Sequence, residues 1–195
     1  MSAPATSAAP ASTAHRMTAD ERRASLSLAG IFALRMLGLF LVLPVFALEA
    51  ARYPGGDDPA LVGLAMGIYG LTQAVMQVPL GLASDRIGRK KVIVAGLLVF
   101  ALGSALAALA GSVHLLVAGR ALQGAGAVSA AVTALLADLT RDEVRTKAMA
   151  LVGVSIAAMF ALSLMAAPPL AGAVGLSGLF WLTAALAVAG VVLVL

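Results

Sequence analysis

The sequence contains no cysteine and only two histidines, and these absences exclude several kinds of chemistry. Disulfides, thiolate catalysis and cysteine-ligated metals all require a residue type that is missing. His15 and His114 are far apart and neither has the spacing of a metal-ligand pair, so we expect no metal and no cofactor. No nucleophile stands beside a base and no pair of carboxylates lies deep in an apolar run, so we do not expect an enzyme.

Charge is also scarce, because only 11% of the residues are charged while 62% are hydrophobic. The mean hydropathy of +1.04 is far above that of a soluble domain of this length. The net charge of +4 does not indicate a nucleic-acid partner, because the basic residues lie in short loops between apolar runs rather than on one polar face. We therefore expect a chain surrounded by membrane lipids.

Six apolar runs have the length of about 20 residues that is needed to cross the hydrocarbon core. Each should be a helix, because lipid offers no partner for unsatisfied backbone groups. No run carries a polar stripe wide enough to meet water, which argues against the buried helices of a soluble bundle. The predicted fold is an all-α membrane protein whose six transmembrane helices cover 24–48, 60–83, 91–110, 113–137, 146–170 and 179–195.

Residues 1–23 precede the first span, and we predict that they form a disordered cytoplasmic N-terminus. The first sixteen are rich in Ala, Ser, Thr and Pro and hold too little apolar surface to fold. They lack the long apolar core of a cleaved signal peptide. Translation starts at Met1 or at Met17, since the residues after Met17 also resemble a natural start.

The distribution of Lys and Arg predicts the orientation in the membrane. Ten of the thirteen basic residues lie on one side, three within 16–23, four within 86–91 and three within 141–147. Only Arg52 lies in a loop on the other side. Because cytoplasmic loops carry an excess of Lys and Arg, we expect the N-terminus and the loop at 81–91 to face the cytoplasm.

The loop between the second and third spans reads Gly-Leu-Ala-Ser-Asp-Arg-Ile-Gly-Arg-Lys-Lys. Gly88 permits the positive φ of a sharp reversal, and the cations hold the loop among the lipid headgroups. Gly81, Asp85, Arg86, Gly88 and Arg89 have the spacing of G-x-L-A-D-R-x-G-R-[KR], which resembles the turn between helices 2 and 3 of the major facilitator superfamily. A simpler interpretation is a solvated loop that only sets topology, in which Asp85 pairs with a neighbouring cation.

The resemblance runs from Met17 almost to Leu195 and is similar to the YajR branch of the superfamily, whose members are twelve-helix inner-membrane permeases grouped with drug and proton antiporters. It implies that residues 24–195 form the N-terminal six-helix bundle of that fold, with the C-terminal half absent. It also implies a latch between Arg89 and Asp138, and an Asp85 that faces the positive N-terminus of a helix in the other half.

Two arginines, Arg35 and Arg120, lie within the spans, where a charge costs roughly 2.5 to 3.5 kcal/mol. Each should therefore face a cavity or a partner. The run Arg-Ala-Leu-Gln-Gly that begins at Arg120 resembles the R-x-x-Q-G motif of proton-coupled members, which implies a link to proton transfer for Arg120 and Gln123. Alternatively, helix-end carbonyls satisfy Arg120, and it holds helices in register. Tyr69 and Gln73 share a face of the second span and either reach the cavity or join helices.

The fifth span carries Pro168 and Gly172 at the place of the G-x-x-x-G-P-x-x-G-G antiporter motif of this family. Ser163, Ala167 and Ala171 stand where the motif has three further glycines. Small residues preserve close packing, and we expect Pro168 to bend the helix.

These features support three interpretations. The first is the N-terminal half of a proton-coupled permease that exports small organic or amphipathic solutes, with Arg35, Arg120, Gln73 and Gln123 in its cavity. Its partners are the solute, protons and membrane lipids. The second is a truncated product without transport of its own. The third is a membrane-embedded half that assembles with a separately encoded C-terminal half or with a second copy.

The asymmetry of basic residues makes the topology testable. A topology reporter fused after Lys91 should report a cytoplasmic location, and one fused after Gly56 should report a periplasmic location. The reverse pattern would contradict both the orientation and the resemblance.

Overall fold

The computed structural model describes residues 16–126 and 128–195, and these residues form helices joined by short connections. In chain order the helices are α1 Ala19–Val42, α2 Phe46–Ala50, α3 Pro59–Ile87, α4 Arg89–Ala108, α5 Val113–Ala125, α6 Ser129–Asp138 and α7 Asp142–Val194. The all-α prediction is confirmed. The predicted disorder of residues 1–15, including His15, lies outside the described residues.

The membrane spans follow from helix length and composition. Within the described ranges, five stretches are long and apolar enough to cross a membrane: α1, α3, α4, α5 with α6, and α7. The 53 residues of α7 contain two spans, because Gly175 leaves the helical conformation with φ 66° and ψ −177°. Residues with a side chain rarely adopt this positive φ, so glycine is suited to the break. The predicted spans at 146–170 and 179–195 lie on its two sides.

Two of the predicted spans are interrupted, so the prediction of one continuous helix was wrong for each of them. The first breaks between α1 and α2 around Pro44, which lacks the N–H that a helix interior requires. The fourth breaks at Gly126, where the backbone touches α4. A Cβ at Gly126 would overlap the carbonyl oxygen of Gly96 and lie 2.7 Å from the nitrogen of Phe100.

The start of the first span also differs from the prediction. The boundary at residue 23 was too late, because α1 begins at Ala19. Thr18 and Glu21 form a capping box in which each side chain binds the other's backbone N–H, and this satisfies donors that a helix start otherwise leaves free. Residues 19–23 are therefore the first turn of a helix rather than a disordered segment.

The helix break near the fifth span lies beyond the residues that the sequence indicated. Within α7, Gly175 alone is recorded with non-helical φ and ψ, so Pro168 and Gly172 continue the helix. The interruption is three residues after Gly172. A bend at Pro168 stays a prediction.

Close packing of α1 on α7 and of α3 on α5, with α4 against α5 and α7, builds the bundle. Hydroxyl groups join α1 to α7: Thr183 Oγ1 donates to the Gly38 oxygen at 2.9 Å, and Ser163 Oγ donates to the Leu37 oxygen at 3.3 Å. Such side chains let helices approach closely in lipid. The position of Ser163, where the family motif has glycine, thus retains a packing role.

Two helices leave most of their surface uncovered within this chain. Only four residues of α3 are buried, and the part of α7 before Gly175 is largely exposed. A Cβ at Gly63, Gly67, Gly70 or Gly153 would meet nothing within 4 Å. The uncovered faces of α3 and α7 therefore contain small residues that would allow another helix to approach.

The close crossing of α4 and α5 depends on Gly103. A Cβ there would overlap the backbone nitrogen of Gln123 and lie 2.8 Å from its Cα. We expect Gly103→Ala to lower the free energy of unfolding by about 1 to 3 kcal/mol, as overpacking does. Loss of helical circular dichroism on denaturation of the purified chain measures this change. Gly67→Ala is the matched control and should leave stability unchanged or slightly higher, because alanine is the better helix former.

Candidate functional site

The first arginine within the membrane-spanning region, Arg35 of α1, contacts two polar residues of α3. Its side chain is buried, with 1% exposure. Arg35 Nη2 donates to Tyr69 Oη at 3.0 Å and to Gln73 Oε1 at 2.9 Å. The Tyr69 hydroxyl also donates to Gln73 Oε1. One amide oxygen thus accepts from both neighbours.

The second arginine, Arg120 of α5, starts a chain of hydrogen bonds that leads into α4. It is also 1% exposed. Arg120 Nη1 donates to Gln123 Oε1 at 2.9 Å, Gln123 Nε2 donates to Ser104 Oγ at 2.7 Å, and Ser104 Oγ donates to the Phe100 oxygen at 2.8 Å. The hydrogen-bond partner found for Arg120 among the described residues is a side-chain amide.

Aromatic rings join the two arginines into one cluster. The Arg120 Cζ lies 4.7 Å from the centroid of the Tyr69 ring and 5.8 Å from that of Phe46. The Arg35 Cζ lies 5.2 Å from the Phe100 centroid. Cations are attracted to ring faces at these distances. Tyr69 therefore serves both arginines, one with its hydroxyl and the other with its ring, and we call these residues the arginine cluster: Arg35, Tyr69, Gln73, Phe100, Ser104, Arg120 and Gln123.

Local sequence explains how this cluster assembles. Tyr69 and Gln73 are four residues apart, and Arg120 and Gln123 are three apart, so each pair shares a helix face. Gly124 brings the two helices together, because a Cβ there would overlap Thr72 Oγ1 and the Tyr69 carbonyl oxygen. The structure thus brings together all five residues predicted for a cavity or for proton coupling, whereas their functions stay predictions.

The arginine cluster lacks a carboxylate. All nine Asp and Glu residues of the chain lie near helix ends or in loops. Across residues 16–126 and 128–195, neither Arg35 nor Arg120 forms an ion pair with any of them. Three of their nitrogens, Arg35 Nε, Arg35 Nη1 and Arg120 Nε, are buried and have no hydrogen-bond partner among these described residues. The cluster is therefore electrostatically incomplete within this chain.

A second cluster lies at the predicted cytoplasmic end and is centred on Arg89. Arg89 Nε lies 3.1 Å from Asp138 Oδ2, which is the contact expected from the family resemblance. Arg89 Nη1 pairs with Asp85 and donates to Ser84 Oγ at 2.8 Å. Gly88 has φ 104°, in agreement with the sharp reversal expected there. Arg86 is exposed beside this cluster.

Asp85 and Gly81 border an open groove between α3 and α6. The carboxylate of Asp85 is 55% exposed, although it pairs with Arg89. Other residues that line the groove are Gln77, Val78, Leu82, Arg89, Ala130 and Ala134. No group of three or more metal-ligating residues is found in the described part of the chain.

Sequence reasoning missed an ion pair between Glu21 and Arg141, which are 120 positions apart. Arg141 Nε donates to Glu21 Oε1 at 2.8 Å, and Arg141 Nη2 donates to Oε2 at 3.1 Å. The Arg141 backbone N–H also donates to Oε1 at 3.1 Å. The carboxylate raises the pKa of Arg141 above its ordinary value. The capping-box spacing of Thr18 and Glu21 was a readable signal for the helix start, but not for this distant partner.

Comparisons with known proteins agree with this architecture. The family model described as Major Facilitator Superfamily matches residues 28–195. The inner membrane transport protein YajR of Escherichia coli K12 is 54% identical over 179 residues, covering 92% of this chain and 39% of YajR. The class E tetracycline resistance protein of Escherichia coli is 32% identical over 147 residues, covering 74% of this chain and 35% of that protein.

A solved structure shows the same fold. The crystal structure of the human organic anion transporter MFSD10 matches with a TM-score of 0.73 at 23% identity, covering 91% of this chain and 47% of that chain. The chain therefore spans less than half the length of each of these three proteins.

The Glu21 to Arg141 pair ties the start of α1 to the start of α7, and its removal should loosen both. We expect Glu21→Gln to lower the thermal midpoint and to increase hydrogen exchange at residues 18–22 and 141–145, because a neutral amide binds a guanidinium less strongly than a carboxylate does. Mass-spectrometric exchange of the purified protein measures this. The exposed neighbour provides the control, since Asp20→Asn should leave exchange at 141–145 unchanged. Equal protection in both variants would mean that the pair does not hold the two helices together.

Proposed function

Because the chain belongs to the Major Facilitator Superfamily, we propose that it forms part of a proton-coupled permease that exports small organic or amphipathic solutes. The proposal places it in the inner (plasma) membrane with a cytoplasmic N-terminus. The observation that carries it is the arginine cluster, in which two buried charges have only uncharged partners. A charge at membrane depth is costly and usually belongs to a solute or proton pathway. Export is supported by the resemblance to a tetracycline resistance protein.

In this proposal the two arginines have different tasks. Arg120 and Gln123 take part in proton coupling, and Arg35, Tyr69 and Gln73 line the solute path. Tyr69 connects these tasks because it contacts both guanidinium groups. A change in charge near Arg120 would therefore change the electrostatic environment of Arg35 through the Tyr69 side chain alone.

A second bundle is needed to complete the transport path. Transporters of this kind bind the solute between two bundles that rock about the site. The uncovered faces of α3 and of α7 before Gly175 supply the surface for such a partner. The partner is further sequence of a longer protein, a separately encoded half or a second copy.

The Arg89 cluster is proposed to be a latch that closes the cytoplasmic side. Arg89 joins the start of α4 to the end of α6 through Asp138, while Asp85 stays accessible from the groove. A helix N-terminus of the second bundle in this groove would be attracted to Asp85. Opening the cytoplasmic side would then require the contacts of Asp85 and of Asp138 to break.

Transport is tested with the 195-residue chain in proteoliposomes under an imposed proton gradient. Alone, it should produce no flux of dye substrates, because one bundle cannot enclose a site from both sides. Co-expression with a matching six-helix C-terminal half should restore flux, and Arg120→Gln should reduce it at least tenfold. Arg23→Gln, the same change at an exposed position, is the control. Saturable flux from the chain alone that depends on Arg120 would instead establish a functional homodimer.

The latch is tested in the same two-half context. Asp138→Asn should favour the inward-open state, because the neutral amide holds Arg89 less strongly. Labelling of single cysteines introduced along the cytoplasmic half of the cavity should become faster. Asp142→Asn provides the control, since Asp142 pairs with Arg145 of its own helix. Labelling rates unchanged by both Asp138→Asn and Arg89→Ala would leave these residues as topology signals only.

A further inference from the structure

The arginine cluster holds two positive charges in positions that favour an anion. Arg35 and Arg120 are each 1% exposed, and the hydrogen-bond acceptors found for them are uncharged: the Tyr69 hydroxyl and the Gln73 amide oxygen for Arg35, and the Gln123 amide oxygen for Arg120. A carboxylate forms shorter and stronger hydrogen bonds with a guanidinium than a neutral amide does. The amide oxygens therefore mark places where a carboxylate would bind more tightly than the present partner.

Arg35 has unused hydrogen-bond donors that a further acceptor would satisfy. In the part of the chain that the structure describes, Arg35 Nε and Nη1 are buried without partners, and so is Arg120 Nε. A guanidinium has five N–H donors, whereas a carboxylate accepts about four hydrogen bonds and donates none. A planar carboxylate can bind two guanidinium nitrogens in parallel, which a single amide oxygen cannot do.

The two glutamines differ in access, and this difference identifies the side from which an anion arrives. Gln123 is fully buried and is held by Ser104. Gln73 is only partly buried and lies on α3, the helix whose outer face is uncovered. Movement of the Gln73 side chain would expose Arg35 and the Tyr69 hydroxyl without breaking the bonds of Arg120.

The side chains around Tyr69 indicate what the carbon skeleton of a bound carboxylate would contact. Besides the two arginines, Tyr69 belongs to a hydrophobic cluster with Leu39, Phe100, Ala101 and Ala187, and Met36 and Phe40 pack against this cluster. Phe100 also forms an edge-to-face pair with Tyr69, with 6.4 Å between the ring centroids. A ligand with a carboxylate at Arg35 would therefore place its carbon skeleton against apolar and aromatic side chains.

We propose that the arginine cluster binds the carboxylate of a small lipophilic organic acid. The carboxylate takes the place of the Gln73 amide oxygen on Arg35 and accepts a hydrogen bond from the Tyr69 hydroxyl. Arg120, behind the Tyr69 ring, adds a second positive charge. This inference rests on the proposed function in taking the bound acid to be the transported solute, but binding itself requires no transport.

The experiment measures binding to the protein at its natural length in lipid nanodiscs at pH 7. Benzoate is the probe, benzamide is its neutral isostere and benzylammonium is its cationic counterpart, each titrated by calorimetry. Benzoate should bind at least tenfold more tightly than benzamide, and benzylammonium should not bind at this site. This comparison uses the unaltered protein, so it does not depend on whether a variant folds.

Variants then assign the site. Arg35→Gln and Arg120→Gln should each weaken benzoate binding at least tenfold, whereas Arg35→Lys retains the charge and should weaken it less. Arg23→Gln is the matched control at an exposed position and should leave affinity unchanged. Size-exclusion chromatography and helical circular dichroism identify any variant that misfolds.

Several outcomes would overturn the inference. Equal affinity for benzoate and benzamide would show that charge is not recognised, and benzoate affinity unchanged in folded Arg35→Gln and Arg120→Gln proteins would place binding elsewhere. Absence of benzoate binding would mean that an acidic side chain of another part of the protein occupies the arginines. Benzoate binding without proton-driven flux would support this site and reject the proposed transport, whereas dye flux without benzoate binding would do the opposite.

Discussion

Two guanidinium groups inside an apolar bundle constrain how its helices can pack. Neither Arg35 nor Arg120 reaches an acid of this chain, so each depends on amides, hydroxyls and ring faces. The residues of the arginine cluster lie on α1, α3, α4 and α5, and they meet only if α3 and α5 are in close contact at Gly124. The packing of four helices is therefore coupled to the hydrogen bonding of two charges. A small displacement of α3 would leave a charge unsatisfied, which is costly at membrane depth.

The polar contacts near the cytoplasmic ends have a different character, because water competes for them. Arg89 contacts carboxylates that are each more than half exposed, so its ion pairs are weaker than pairs in the interior. Weak pairs are suited to the proposed latch, which would open and close repeatedly. The Glu21 to Arg141 pair is more enclosed on the Glu21 side and adds a backbone hydrogen bond, so it joins α1 and α7 more permanently. The Glu21 to Arg141 pair is thus the more stable of the two ion-pair sites, and the Arg89 pairs are the more easily broken.

The uncovered surfaces distinguish this bundle from a self-contained helical domain. The buried face of α3 serves the arginine cluster, while its opposite face carries glycines that no other helix covers in this chain. The groove beside Asp85 continues this open side toward the cytoplasm. Deep polar residues, small residues and an accessible carboxylate therefore lie along one helix, and a second bundle placed there would contact all three.

Much of the fold was predictable from local patterns. Apolar runs of membrane length predicted the helices, since backbone groups in lipid have no alternative partner, and the spacing around Asp85 and Arg89 predicted the turn. The contact of Arg89 with Asp138 was implied by the family resemblance. The breaks at Gly126 and Gly175 were not predictable, because the first depends on the close approach of α4 and the second on a backbone conformation that many glycines never use. Sequence also could not show that Glu21 and Arg141 meet.

The sequence by itself determined that the chain is a helical membrane protein of the major facilitator type, because composition, run length and motif spacing are local properties. It also identified Arg35 and Arg120 as residues that need partners. Only the tertiary structure decided that they share Tyr69, that their acceptors are neutral amides and that three of their nitrogens stay unpaired. Those facts depend on which helix faces meet. That is set by side-chain packing across residues far apart in the chain, and no local spacing contains it.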